Sequence, residues 1–167
     1  AFPLLEDILS TTVPTAVPDD TEGHVIICSY TSRAAALTDE LDTWDVDHVV
    51  IEPDRERATE LYEDDHRVIH ADPTSIAGLE GAELASARAL VADVSDQVDA
   101  SIVLAAREVA EAVPVVSVIE GPDRQSYHRL AGADHVLSPR PLLGESLASK
   151  VTTPMTANLR ESVDIGD

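Results

Sequence analysis

The chain has 167 residues, 44% of them hydrophobic, and its 32 Asp and Glu outnumber 11 Lys and Arg to give a net charge of -21. That length builds one domain with a real core, while the charge excludes a sequence-independent nucleic-acid binder, because phosphate binding needs clusters of Lys and Arg. A single cysteine, Cys28, excludes an intrachain disulfide and a cysteine-based metal site, and no apolar run reaches transmembrane length.

Residues 1–23 open on Phe2, Leu4, Leu5, Ile8 and Leu9 and then turn Pro- and Thr-rich. Pro14, Pro18 and the run from Asp19 to Gly23 predict a linker. The first residue is Ala1, not Met, and the expectation is an excised piece of a longer protein. From 24 to 139, strand and helix patterns alternate. Short runs rich in Val and Ile predict strands at 24–29, 48–52, 67–70, 88–93, 114–119 and 135–138. Helical spacing predicts 32–42 on Ala34, Leu37 and Leu41, 54–64 on Ala58 and Leu61, and 75–82 on Ile76 and Leu79. It also predicts 95–112 on Val98, Ile102, Ala105 and Val109, with Ser95 as N-cap and Asp96 and Asp99 at the positive helix end. Pro122 suits the first turn of a short helix through residue 131. One more amphipathic helix is predicted at 141–151, and the tail beyond Pro154 is expected to be poorly ordered. Strands alternating with helices in this way predict an α/β fold: a doubly wound parallel six-stranded sheet, Rossmann-like, with strand order 3-2-1-4-5-6.

In such a sheet the ligand crevice lies outside the carboxyl ends of the strands, where the strand order reverses. After the first strand comes Ser29-Tyr30-Thr31-Ser32-Arg33-Ala34, at the place of the G-x-G-x-x-G fingerprint of dinucleotide-binding domains. Ala34 can stand for the third glycine. Ser29 and Thr31 bring a Cβ to the tight turn and to the pyrophosphate's approach, which disfavours a dinucleotide in the standard pose. The helix N-terminus still offers unpaired N–H groups, and Ser29, Thr31 and Ser32 add hydroxyls beside Tyr30. A small phosphate or a mononucleotide is one reading; a retained turn without a ligand is the other.

Glu52, the last residue of the second strand, is placed to accept hydrogen bonds from a ribose diol. Asp54 is a second candidate there, or the cap of the next helix. After the third strand, Asp72 and Thr74 suit contact with a base or capping. After the fourth, Asp93-Val94-Ser95-Asp96 would floor the crevice, with Val94 at its centre. Glu120 follows the fifth strand, and with Asp96 and Asp99 it suggests an oxygen-rich cation site. On so acidic a chain such clusters also arise by chance. The six histidines make no evident metal-ligand set, and no catalytic constellation emerges.

Four segments in order, HVIICSY, VVIEPD, VIHADPTSIAGLEGAELASARALVADVSD and RLAGADHVLSP, together resemble the N-terminal RCK (regulator of potassium conductance) domain, also called the TrkA N-terminal domain. The resemblance runs from residue 24 to about residue 150 and is most specific around His70–Thr74 and at AGADHVLSP. It implies a cytoplasmic regulatory domain, not an enzyme, attached to or associated with the membrane subunit of a potassium channel or uptake system. It implies a homodimer or ring of such domains that rearranges on ligand binding and so controls potassium flux. Residues 1–23 would then leave a pore helix, and 141–151, with Leu142, Leu143, Leu147 and Val151, would be the pairing helix.

Family members with intact glycines bind NAD(H) or adenine nucleotides, and some with altered loops answer to calcium. The calcium-responsive pattern has two alternating acids after the fifth strand. This chain has Val118-Ile119-Glu120 there, one acid short, so calcium is the lesser expectation and Asp96 and Glu120 are its residues. Two alternatives stand beside this reading. One is an NAD(H)- or adenine-nucleotide-sensing regulator that tolerates Ser29 and Thr31. The other, from another class, is a small NAD-dependent oxidoreductase, which needs a catalytic acid or base and a substrate domain.

The acid is spread along a patterned chain, not gathered in a tail, which reads as a surface adapted to high salt, where carboxylate repulsion is screened. An acidic surface built for cations or a basic partner would concentrate its charge. The domain is therefore expected to lose its fold as salt is lowered toward dilute buffer. Circular dichroism across a potassium chloride series checks this, and full stability in dilute buffer would count against salt adaptation.

Overall fold

The computed structural model describes residues 12–138. Residues 1–11 of the expected linker, and the whole of the expected pairing helix and tail, lie outside the described residues. Six strands form one all-parallel sheet: β1 (Val25–Cys28), β2 (His48–Glu52), β3 (Val68–His70), β4 (Ala89–Ala92), β5 (Val115–Val118) and β6 (His135–Leu137). Their order is β3-β2-β1-β4-β5-β6. The predicted strands and their order are thus observed, each within two residues of its expected ends.

β1 sits at the reversal of strand order. Val25 pairs in register with His48 of β2 on one side and with Ala89 of β4 on the other. All four of its residues are buried, so the strand reads as a continuous apolar run instead of an alternating one. Its side chains divide between two cores. Ile26 and Cys28 join Val49, Ile51 and Leu90 on the face covered by α3 (Ile76–Gly81) and α4 (Asp96–Val109). Val25 and Ile27 join Val50 and Val68 on the face covered by α1 (Ser32–Thr43) and α2 (Arg55–Glu63). Helices on both faces of a parallel sheet are what right-handed crossovers produce when the strand order reverses.

Local chemistry sets the helix ends. Thr31, Asp54, Ser75 and Ser95 cap α1, α2, α3 and α4, each accepting the backbone N–H three residues on. Helix α4 is shorter than its predicted span and ends at Val109. Arg107, in its last turn, ties down the chain beyond: its guanidinium donates to the carbonyls of Glu111, Val113 and Gly132. The predicted helix 122–131 divides into a 3-10 turn at Pro122–Arg124 and α5 (Gln125–Ala131). A second 3-10 turn at Leu84–Ser86 was not foreseen; it follows Glu83, whose φ is +55°.

Residues 12–23 do not leave the domain directly. The carbonyl of Pro14 accepts the N–H of His70 on the outer strand β3, and the N–H of Val17 donates to Gly81. Val17 is buried in the larger core. The segment thus covers part of an edge that would otherwise expose unpaired backbone groups. Gly78 is required by a close approach: a Cβ there would run into the backbone carbonyl oxygen of Asp72. Gly78→Ala should therefore lower stability by about 2 kcal/mol, read from the midpoint of urea unfolding. An unchanged midpoint would refute the close approach.

Candidate functional site

The strand ends gather on one side of the sheet around the N-terminus of α1. Ser29, directly after β1, has φ +70°. This is the left-handed conformation that glycine adopts freely and that costs another residue about 1 kcal/mol. The tight turn of the glycine fingerprint is retained even though the glycine is not. Thr31, at the second glycine position, has extended backbone (φ -101°, ψ 176°) and needs no glycine. Its hydroxyl, expected to be available to a ligand, is already used: Oγ1 accepts from the N–H of Ala34 and donates to Oδ2 of Asp93, 3.0 Å away. Ser32 is exposed in the first turn of α1.

Asp93 is the centre of this end of the molecule. It follows β4, and its side chain is 6% exposed. Arg33 approaches it in a fork, Nε to Oδ2 at 3.0 Å and Nη2 to Oδ1 at 2.8 Å. Nη2 also reaches Oε1 of Glu120, beyond β5, at 3.3 Å. The bond with Asp93 holds the Arg33 guanidinium above even its ordinary basicity. A bidentate Arg–carboxylate pair is among the stronger charge-assisted contacts, and here it joins α1 to the ends of β4 and β5. The sequence placed Asp93 in the crevice floor but did not foresee its pairing with Arg33; a lone Arg in a turn and an acid after a strand carry no pairing signal.

Glu52, at the end of β2, is 5% exposed, and its Oε2 accepts the N–H of Asp54. A carboxylate has room for further donors. Asp54 instead caps α2 through the N–H of Arg57. Tyr30 packs against His66 and Arg57. Its ring is 4.8 Å from that of His66 and 5.8 Å below the Arg57 guanidinium, and its carbonyl accepts from that guanidinium. Asp72 does not cap α3; its Oδ1 holds the N–H and hydroxyl of Thr74, and Ser75 supplies the cap. Val94 is exposed after β4, and its N–H donates to Asp99.

The two residues considered for a cation are turned to other work. Both carboxylate oxygens of Asp96 accept backbone N–H groups, from Glu120 at 2.7 Å and Gly121 at 3.0 Å, and Glu120 meets Arg33. Among the described residues, no group of three His, Cys, Asp or Glu side chains could hold a metal ion.

Asp99 is fully buried in the first turn of α4. Oδ1 accepts from Val94, and Oδ2 has no hydrogen-bond partner. Burial first, then repulsion from Asp93 and Asp96, pushes its pKa up to about 7, against the pull of the Val94 N–H. Burial, and then Asp99, likewise raises the pKa of the Cys28 thiol, which makes that cysteine a core residue and not a nucleophile. One Ser–His contact did escape the sequence: Ser117 Oγ lies 2.7 Å from Nδ1 of His128. Both residues are fully buried, so no substrate reaches them, and burial lowers the imidazole's basicity. A cavity of about 540 Å³ lies elsewhere, between Pro14–Glu22 and the region of Tyr62, His66 and β3.

Comparison with known proteins joins these features. The TrkA-N domain family matches residues 25–139. The GsuK channel bound to NAD is 29% identical, with a TM-score of 0.80 over 87% of this chain and 27% of its own. GsuK bound to ADP is 30% identical, with a TM-score of 0.83 over 90% of this chain and 40% of its own. The TrkA-N domain of the inner membrane protein ybaL from Escherichia coli, 22% identical with a TM-score of 0.72, covers 78% of this chain and 97% of its own, and shares the fold. The chain thus spans well under half of the GsuK chains it matches.

The Asp99 geometry has a consequence for stability. The native carboxyl keeps its proton up to about pH 7, while the unfolded one releases it near the ordinary carboxylate value. Between those limits the native state binds more protons, so stability falls as pH rises through the window. Asp99→Asn should remove that slope and stabilise the domain at pH 8 by on the order of 2 kcal/mol. Thermal midpoints from pH 5 to 8 check it; parallel curves for the two proteins would refute it.

Proposed function

The chain belongs to the TrkA-N domain family, and on that premise we propose that it is a ligand-sensing regulatory domain of a potassium channel or transporter and not an enzyme. The ligand is an adenine nucleotide. The observation that carries this reading is the turn after β1. Ser29 keeps the left-handed backbone of the missing glycine, so α1 still points its N-terminus at the crevice, with Glu52 at the neighbouring strand end. Unpaired N–H groups and the helix dipole favour a phosphate there, and Glu52 favours a ribose diol. The use of Asp96 as an acceptor for backbone N–H groups supports a nucleotide over calcium as the effector.

In this reading the domain acts on the cytoplasmic face of a membrane partner. Among the described residues no helix is long and apolar enough to cross a membrane, so the pore belongs to another segment or subunit. Assembly into dimers or rings is supported by apolar surface on the last elements: Tyr127 and Leu130 of α5 are 52% and 87% exposed, and Leu137 of β6 is 47% exposed. A ligand gates such an assembly only by binding one arrangement better than another.

ADP at millimolar concentration is expected to raise the thermal midpoint, as any ligand of the native state does. Glu52→Ala should weaken binding about tenfold, the loss of one hydrogen bond to a charged group, in isothermal titration. No shift with ADP would overturn the nucleotide reading; binding unaffected by Glu52→Ala would overturn the role given to Glu52.

A further inference from the structure

A dinucleotide needs both halves of the crevice: one nucleoside beside β2, the pyrophosphate above β1, the second nucleoside across the ends of β4 and β5. The two halves are built differently here. On the β2 side stand Glu52 and the open first turn of α1, with Ser32 exposed. On the other side Arg33 spans from α1 to Asp93 and on to Glu120, so its guanidinium crosses the ends of β4 and β5.

We propose that the Arg33–Asp93–Glu120 bridge is a specificity device that admits an adenine mononucleotide and excludes the second nucleoside of NAD. This rests on the nucleotide reading above and narrows it to one ligand class.

Three observations carry it. First, the bridge is anchored at its buried end. The Asp93 side chain is 6% exposed, and removing Arg33 from it would leave a carboxylate charge nearly out of water, with the Thr31 hydroxyl as its remaining hydrogen-bond partner. Breaking one side of a buried ion pair is far costlier than breaking an exposed one. Second, the bridge is reinforced from beneath. Asp96 holds the N–H groups of Glu120 and Gly121, which fixes the backbone that carries the outer carboxylate. Third, the charge is unsuitable for a second ribose with its own phosphate. With Arg33 displaced, Asp93 and Glu120 would face an incoming pyrophosphate as like charges. With Arg33 in place, the terminal phosphate of ADP or AMP at the N-terminus of α1 meets a guanidinium whose hydrogen bonds to the described residues run through Nε and Nη2. The same residue thus favours a phosphate that ends there and obstructs one that continues.

The test compares ADP, AMP, ADP-ribose and NAD on the full 167-residue chain by isothermal titration, in salt that keeps it folded. ADP and AMP are expected to bind, with NAD and ADP-ribose at least tenfold weaker. The double variant Arg33→Ala/Asp93→Asn removes the bridge without stranding a charge and should bring the NAD-to-ADP affinity ratio to within about threefold of one. Glu120→Ala removes only the exposed end; it should keep the fold and shift the ratio the same way by a smaller factor. Equal affinity for NAD and ADP in the unaltered chain overturns the proposal, as does a ratio that neither variant moves. Binding of none of the four ligands overturns the nucleotide reading itself, and the specificity device with it.

Discussion

The structure depends on the burial of β1 on both faces and both edges. A four-residue apolar strand with β2 on one side and β4 on the other must be covered above and below, and the two sets of crossover helices do this from opposite faces. Once they do, the chain leaving β1 and the chain leaving β4 diverge, and a crevice opens between them. The geometry of the candidate site follows from that divergence. Ser29 makes the turn, Thr31 starts α1, and Asp93 faces them from the next strand.

The electrostatics of the crevice are those of an acidic chain that spends its few cations where burial demands them. Asp93, Asp96 and Asp99 lie within one short loop and helix turn, and each is neutralised differently. Asp93 has a guanidinium fork, Asp96 has backbone N–H donors on both oxygens, and Asp99, fully buried with a backbone donor on Oδ1 alone, has its pKa pushed up to about 7. Three carboxyls so close cannot all stay charged without partners. The outcome is a site with less negative charge than its composition suggests, and the only guanidinium among these contacts stands at the centre of the crevice.

Much of this was legible in the chain. The strands and their order followed from Val- and Ile-rich runs separated by helical spacing, because burial of a parallel sheet leaves little choice of residue. Ser95 as a cap was legible because capping is a local reaction between a side chain and a backbone group three residues on. The 3-10 turn at Leu84–Ser86 was not, since it depends on Glu83 adopting a left-handed backbone that its identity does not call for. The bonds of Arg107 were not legible either, since the carbonyls of Glu111, Val113 and Gly132 reach it from two separate turns. The degenerate loop divided the same way. The sequence puts Ser29 and Thr31 at the places where the fingerprint has glycine, but that Ser29 has positive φ while Thr31 is extended appears only in the backbone angles.

What the sequence determined by itself is the frame: a doubly wound α/β domain, its helix caps, an acidic surface, and a membership carried by segments spaced through most of the chain. These are matters of periodicity and short-range contact, and each is encoded within a few residues of where it acts. What the tertiary structure decided is the content of the crevice. Arg33, Asp93 and Glu120 are separated by up to 87 positions, and only the reversal of strand order at β1 brings them together. The pKa of Asp99 and the occupied hydroxyl of Thr31 are likewise properties of neighbours that no local pattern names, because burial and charge pairing act through space and not along the chain.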